Sequence, residues 1–314
     1  MHSLVEAILA DPEDDAPRLV YADALMQAGD PRGELIAVQC ALARCDASDP
    51  AREALAERSA ALERAHRDAW LGGLGLSTQT MRFERGFVEE LTAPFSVATG
   101  SAAAIVARHP LLRRLNLSLH GQRDRVALAR SGRSELLARA THLRVRGKHI
   151  GNTRLFHGPI ADVNGLRGVP FTSLTSLRFE RVRLDPAMLG DVLSTSAFAG
   201  LDELALPWLH LDADDIAVVA ARPASERVTR IVLDGNRFGD EGVERLVRSP
   251  VFAHVFELGL RVTGVTRDGL RALAAMAPPS LRRVDLVDTG VDEAAVEEVR
   301  PPFEVNLSRE APRM

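Results

Sequence analysis

The chain has 314 residues, of which 46% are hydrophobic, 26% charged and only 4% aromatic, with a formal net charge of −4. This balance supports a substantial core and excludes a chain disordered by composition, and no apolar run approaches the roughly 18 residues that suggest a membrane span. The start lacks the basic then apolar stretch of a signal peptide, so the expectation is a cytoplasmic protein of bacterial type. Cys40 and Cys45 are the only cysteines; five apart on a helix they point in different directions, which argues against a disulfide, and two thiols alone do not make a zinc site.

In chain order, helix signals dominate residues 1–75. Ser3 with Glu6 reads as a capping box ahead of Ile8 and Leu9, and Asp15 with Pro17 opens a helix through Leu19, Val20 and Leu25 that stops at Gly29. Pro31 starts another with Leu35, Ile36, Val38 and Leu42, and Asp49 with Pro50 starts a fourth with Leu55 and Leu62. A small all-helical domain is predicted there. The acidic cluster Asp11, Asp14, Asp15, Asp23 and Asp30 lacks the spacing of a calcium loop. It reads as helix caps plus an ion pair from Arg18 to Asp23 or Asp30. Residues 76–111 read as a linker and cap, with a short hairpin or a capping strand expected where Gly86 separates two alternating runs ending at Leu91.

From 112 to 314 one phrase recurs: apolar, two variable, apolar, one variable, apolar. It runs Leu112, Leu115, Leu117; Leu143, Val145; Leu174, Leu177, Phe179; Leu201, Leu204, Leu206; Val228, Ile231, Leu233; Phe256, Leu258; Leu281, Val284, Leu286; and Val305, Leu307. Residues two apart on a strand share a face, so each phrase predicts a short strand with one apolar side. Helix starts follow at Asp185-Pro186, Asp212, Asp240 and Thr266. A unit this small cannot bury its apolar face alone, so successive units stack with parallel strands on one side and helices on the other. The fold class is therefore α/β, a curved solenoid with parallel strands inside and helices outside, preceded by the helical domain.

These phrases resemble leucine-rich repeats, in particular the long ribonuclease-inhibitor-like class, with second apolar positions at 177, 204, 231, 256 and 284. Intervals of 27, 27, 25 and 28 follow. The resemblance implies that Asn236, three past Leu233, hydrogen-bonds the turn leaving its strand. Most other units lack that Asn, and the stretch from Arg146 to Pro170 reads as an inserted Gly-rich loop. The N-terminal segment running Asp14, Asp15, Ala16, Pro17, Arg18, Leu19, Val20, Tyr21, Ala22, Asp23, then Gly29 to Ile36, resembles the bacterial repeat-companion domain that precedes repeat arrays. It implies a module fused to repeats and carries no activity with it.

Charge is divided along the chain. Lys plus Arg against Asp plus Glu is 7 to 14 over 1–75, 18 to 7 over 76–184 and 14 to 22 over 185–314, giving −7, +11 and −8. Strand alternation sets Arg114, Asn116, His142, Arg144, Arg146, Arg178 and Glu180 on the polar face of the early repeats, and Glu203, Arg230, Asp234, Glu257, Arg283 and Asp285 on the later ones. Trp208, just past its strand, is either an exposed anchor or packed under the turn. These residues are the candidate contacts for a protein partner on the concave face, its basic half suited to an acidic ligand and its acidic half to a basic one.

Other classes fare less well. A nucleic-acid reading has the basic 76–184 segment in its favour, but the chain has a single tyrosine and no basic run interleaved with stacking groups. Enzyme chemistry finds no support: the histidines have no metal-ligand spacing, the glycines form no phosphate-binding fingerprint, and no nucleophile elbow is present. His142, His149 and His157 gather around the inserted loop and read as surface residues. The sequence thus predicts a non-enzymatic interaction scaffold with no cofactor and no metal. An alternative is a regulatory subunit of an enzyme, with the acidic N-terminal domain modulating access to the basic repeats.

Overall fold

A computed structural model describes residues 2–72, 81–147, 160–221 and 227–308. The chain divides into two compact units, Met1–Thr92 with Ser101–Leu115, and Ala93–Gly100 with Asn116–Met314. Parts of two expectations, positions 76–80 of the linker and positions 148–159 of the inserted loop with His149 and His157, lie outside the described residues.

The first unit begins with four helices, α1 (His2–Ala10), α2 (Asp15–Gln27), α3 (Arg32–Arg44) and α4 (Ala51–Leu71). Ser3 lies inside α1 rather than capping it. Helix α2 is capped by Asp14, one residue before the expected start, whose carboxylate accepts the Ala16 N–H at 2.9 Å. Ile8, Ala22, Leu25, Ile36, Cys40, Phe87 and Leu111 close the core. Cys40 and Cys45 are both thiols, and burial together with Asp15 pushes the Cys40 thiol up to about 12, so it stays protonated and inert.

Strands β1 (Met81–Glu84) and β2 (Phe87–Pro94) pair antiparallel, with Arg85 and Gly86 both at positive φ in the turn between them. This is the hairpin read from Gly86, and two positive φ values in a two-residue loop match the right-handed twist of the strands. Arg18, fully buried, does not pair with Asp23 or Asp30. Its guanidinium donates to the Pro12 and Arg85 carbonyls and pairs with Glu89 at 2.8 Å. The pairing expected from nearby sequence loses because Arg18 points at the hairpin, where carbonyls and a carboxylate satisfy it together. Helix α5 (Phe95–Gly100), of the second unit, precedes α6 (Ala102–Arg108), of the first.

The rest of the chain alternates strand and helix. The order is β3 (Arg114–Leu119), α7 (Gln122–Ala129), α8 (Glu135–Ala138), β4 (His142–Gly147), β5 (Ser176–Glu180), α9 (Pro186–Leu193), β6 (Glu203–Ala205), α10 (Ala213–Ala220), β7 (Arg230–Val232), α11 (Gly239–Val247), β8 (Glu257–Gly259), α12 (Arg267–Met276), β9 (Arg283–Asp285), α13 (Glu293–Val299) and β10 (Glu304–Asn306). Within the second unit, strands β4 to β10 pair in chain order, each parallel to the next. Each of the eight phrases falls on a strand. Register corrects one of them: Ile231 pairs with Leu258 and Leu258 with Val284, while Phe256 is 47% exposed. The repeat therefore advances by 27 and then 26 residues, not 25 and 28; Phe256, apolar but exposed, masked the true phase, in which Val255, Leu258 and Leu260 are the buried positions.

Caps explain where the helices begin. Asp185 accepts the Ala187 and Met188 N–H groups, Asp212 and Asp215 form a reciprocal capping box, and Thr266 accepts from Asp268. Asp240 departs from this scheme. It lies within α11, and its carboxylate instead takes the N–H and hydroxyl of Thr266 at 2.7 and 2.6 Å, tying the start of one helix to the start of the next.

Asn236 is wholly buried and uses both ends of its amide. Its Oδ1 accepts from Leu209 and Leu211 N–H, and its Nδ2 donates to the Leu206 and Leu233 carbonyls. Two successive turns are thereby joined. Thr263 and Thr289 stand at the equivalent place three past the strand and bond the Leu260 and Leu286 carbonyls. One residue earlier, Arg181, Trp208, Gly235, Val262 and Asp288 all have positive φ. A left-handed residue at this one position recurs through five units, although only one of them is glycine.

Candidate partner-binding face

Alternation on β4 to β10 puts Leu143, Val145, Leu177, Phe179, Leu204, Ile231, Leu258 and Val284 into the apolar side and sorts the other side chains into rows across the polar side. Parallel register fixes which residues share a row.

The first row runs Ser176, Glu203, Arg230, Glu257, Arg283 and Glu304. Its charges alternate and meet one another: Arg230 with Glu257 at 3.5 Å, Glu257 with Arg283 at 3.8 Å, and Arg283 with Glu304 at 3.4 Å, while Ser176 donates to Glu203 at 3.2 Å. Each exposed pair contributes no more than about 1 kcal/mol to stability. Their larger effect is that the row pairs most of its charges, leaving an excess of one carboxylate.

The second row runs Arg144, Arg178, Ala205, Val232, Gly259 and Asp285. Its middle three positions are small or apolar, so charge is concentrated at its early end. Asp285 accepts the Val287 N–H and faces Arg261 at 3.9 Å. Just past β7, Asp234 accepts the Arg261 N–H at 3.0 Å. Burial, with a contribution from Asp285, raises the pKa of Asp234.

Four guanidinium groups converge on Glu180. Arg144 hydrogen-bonds it, Arg178 lies at 3.5 Å, and Arg146 and Arg181 lie at 3.8 Å. The carboxylate side chain is 8% exposed, whereas the arginines are 40, 48, 31 and 27% exposed for Arg144, Arg146, Arg178 and Arg181. One buried negative charge thus holds four positive ones at the surface. Burial alone would raise the Glu180 pKa, but the Arg144 hydrogen bond and the charges of Arg144, Arg178 and Arg146 hold it below the usual carboxylate range. The Nε of Arg144 is itself buried and has no hydrogen-bond partner among the described residues.

Of the remaining candidates, His142 stands beside Ser176 at the head of the first row. In the first unit Arg114 pairs with Glu84 and stands 3.8 and 3.9 Å from Glu89 and Glu90. His142 is exposed and Asn116 half-buried. Trp208, 37% exposed, lies flat over the backbone of the next turn, where a Cβ on Gly235 would overlap its ring. It is both partly packed and partly presented.

Sequence reading placed Glu180 beside its arginines as one more exposed contact and omitted Arg181. Arg181 sits at the recurrent left-handed position, φ 53°, which returns its side chain toward Glu180. Neither that recurrence nor the burial of Glu180 was legible in the sequence, since both depend on how successive turns pack. No group of three or more metal-ligating side chains occurs among the described residues. No helix among them is long and apolar enough to cross a membrane.

No family model matches the sequence, and no curated protein matches it. Among solved structures, the chain is similar to a crystal structure of an internalin, inlF, from Listeria monocytogenes, at 16% identity and a TM-score of 0.34 over 65% of this chain and 49% of that one. The match spans about half of the internalin chain.

Proposed function

We propose that this protein is a non-enzymatic scaffold whose leucine-rich-repeat solenoid binds a protein partner on the polar face of its strands, through an acidic segment seated on the arginines around Glu180. The observation that carries this reading is the imbalance there, four arginines to one buried carboxylate. Guanidinium groups fixed by a buried acid are preorganised for carboxylate recognition, because less side-chain freedom is lost when a second acid arrives. The row of Glu203, Arg230, Glu257, Arg283 and Glu304 pairs most of its charges and keeps an excess of one carboxylate, smaller than the excess of three arginines around Glu180. The N-terminal helices fit the companion-domain resemblance of their sequence and act as a module fused to the repeats.

The test is capture from nuclease-treated native lysate by the full chain, compared with Arg146→Glu. Arg146 is chosen because it is the most exposed of the four and leaves Glu180 with Arg144, Arg178 and Arg181; reversing Arg144 or Arg178 would strand a buried carboxylate. A protein captured by the wild type and at least tenfold depleted with Arg146→Glu supports the reading, with Arg230→Gln as the control that leaves capture unchanged. Capture indifferent to Arg146→Glu, or recovery of nucleic acid alone from untreated lysate, overturns it; the second outcome favours polyanion binding by the basic segment.

A further inference from the structure

The first unit holds a second concentration of positive charge that the proposed partner contact does not use. A cleft of about 560 Å³ opens between the start of α3, the end of α4 and the exposed side of α6, lined by Asp30, Arg32, Trp70 and Arg108 with the small side chains of Ala69, Ala104 and Ala107. Several arginines of this acidic unit meet carboxylates, among them Arg18 with Glu89, Arg58 with Glu34, Arg67 with Glu63, and Arg85 with Glu13. Arg32 and Arg108 have no such pair among the described residues.

Arg32 is nevertheless held in place. Its Nε donates to the Gly86 carbonyl at 3.1 Å and its guanidinium lies over the Phe87 ring at 5.1 Å. Burial lowers its pKa, and the charge of Arg108 lowers it further. Next to Arg108, His109 is 3% exposed with both ring nitrogens lacking hydrogen-bond partners among the described residues. Burial, then the charges of Arg32 and Arg108, push it down to about 4. Beside an imidazole held neutral chiefly by its burial, two cations thus stand against one carboxylate, Asp30, whose Oδ1 accepts the Arg32 N–H at 2.9 Å, and the local charge is net positive.

The cleft also has one flat wall. Trp70 is half-buried, with His66 at 5.3 Å and Phe83 at 5.7 Å between ring centroids behind it. Three alanines leave the space beside the indole clear.

We infer that this cleft is a binding site for a small flat-ringed anion, a phosphate or carboxylate held between Arg32 and Arg108 with its ring against Trp70. Asp30 at the rim suits a ligand that also carries a hydroxyl or amine donor. Both anion types accept two parallel hydrogen bonds from the planar guanidinium fork, and the experiment separates them.

Phenyl phosphate and benzoate, with neutral benzyl alcohol as control, are titrated into the full chain while the Trp70 indole N–H is followed by NMR, its resonance assigned from the spectrum of a Trp70→Phe variant. The expected result is saturable movement of the Trp70 signal by at least one of the two anions and none by benzyl alcohol, with the preferred anion naming the ligand class. Arg108→Gln, at an exposed position that leaves thermal unfolding unchanged, weakens that binding at least tenfold, and Arg108→Lys restores part of it. No saturable shift with either anion up to about 10 mM, well above the range of a weak specific site, or equal binding by Arg108→Gln, overturns the inference. Neither outcome bears on Arg146 and the partner face.

Discussion

Val262 is the residue whose backbone and side chain most plainly disagree. At φ 57° it adopts a conformation that suits glycine, and a β-branched side chain makes the mismatch worse. Its side chain is 39% exposed, so little packing is lost on removing it. Val262→Gly is therefore expected to stabilise the protein by about 0.5–1 kcal/mol in urea unfolding, against the usual trend for glycine substitutions. His109 supplies the pH dependence. Its folded pKa of about 4 lies below the ordinary 6.5, so the unfolded chain binds the proton first as pH falls. Stability is complete above about pH 6.5 and falls by roughly 3 kcal/mol between there and pH 4. His109→Leu removes that slope, which chemical unfolding at pH 7 and pH 4.5 measures directly. Neither residue announces itself in the sequence: positive φ at Val262 is fixed by the turns on either side, and burial of His109 by packing.

At the scale of elements, the strands were legible because a period of two is a local signal, and eight phrases gave eight strands. Caps at Asp185, Asp212 and Thr266 were legible for the same reason, since a cap bonds residues two or three away. Asp240 was misassigned because its partner is 26 residues distant in the adjoining unit. Asn236 belongs to both categories. Its residue type signalled a turn, but the structure shows it joining two turns through four backbone groups. Asn236→Ala would leave those groups buried and unsatisfied, and a loss of about 3–5 kcal/mol is expected in urea unfolding, in contrast to about 1 kcal/mol for an exposed cap. A loss no larger than that of a cap would show that the inter-unit bonds are replaceable.

Across the whole chain, segment charges of −7, +11 and −8 pointed to a divided surface. Register changes the meaning of that division. The late repeats spend their charges on one another, from Arg230 to Glu304, and the early repeats keep an excess around Glu180. Segment totals cannot distinguish these cases, because ion pairing depends on which residues stand opposite across parallel strands. The central claim is that this excess recognises an acidic segment. It is tested most directly by titrating a fluorescently labelled Glu-rich decapeptide with the full chain and with Arg146→Glu, following anisotropy at 50 and 200 mM salt. The account predicts saturable binding by the wild type that weakens with salt and falls at least tenfold in the variant. Equal binding by the two proteins, or no binding by the wild type at either salt concentration, would contradict it.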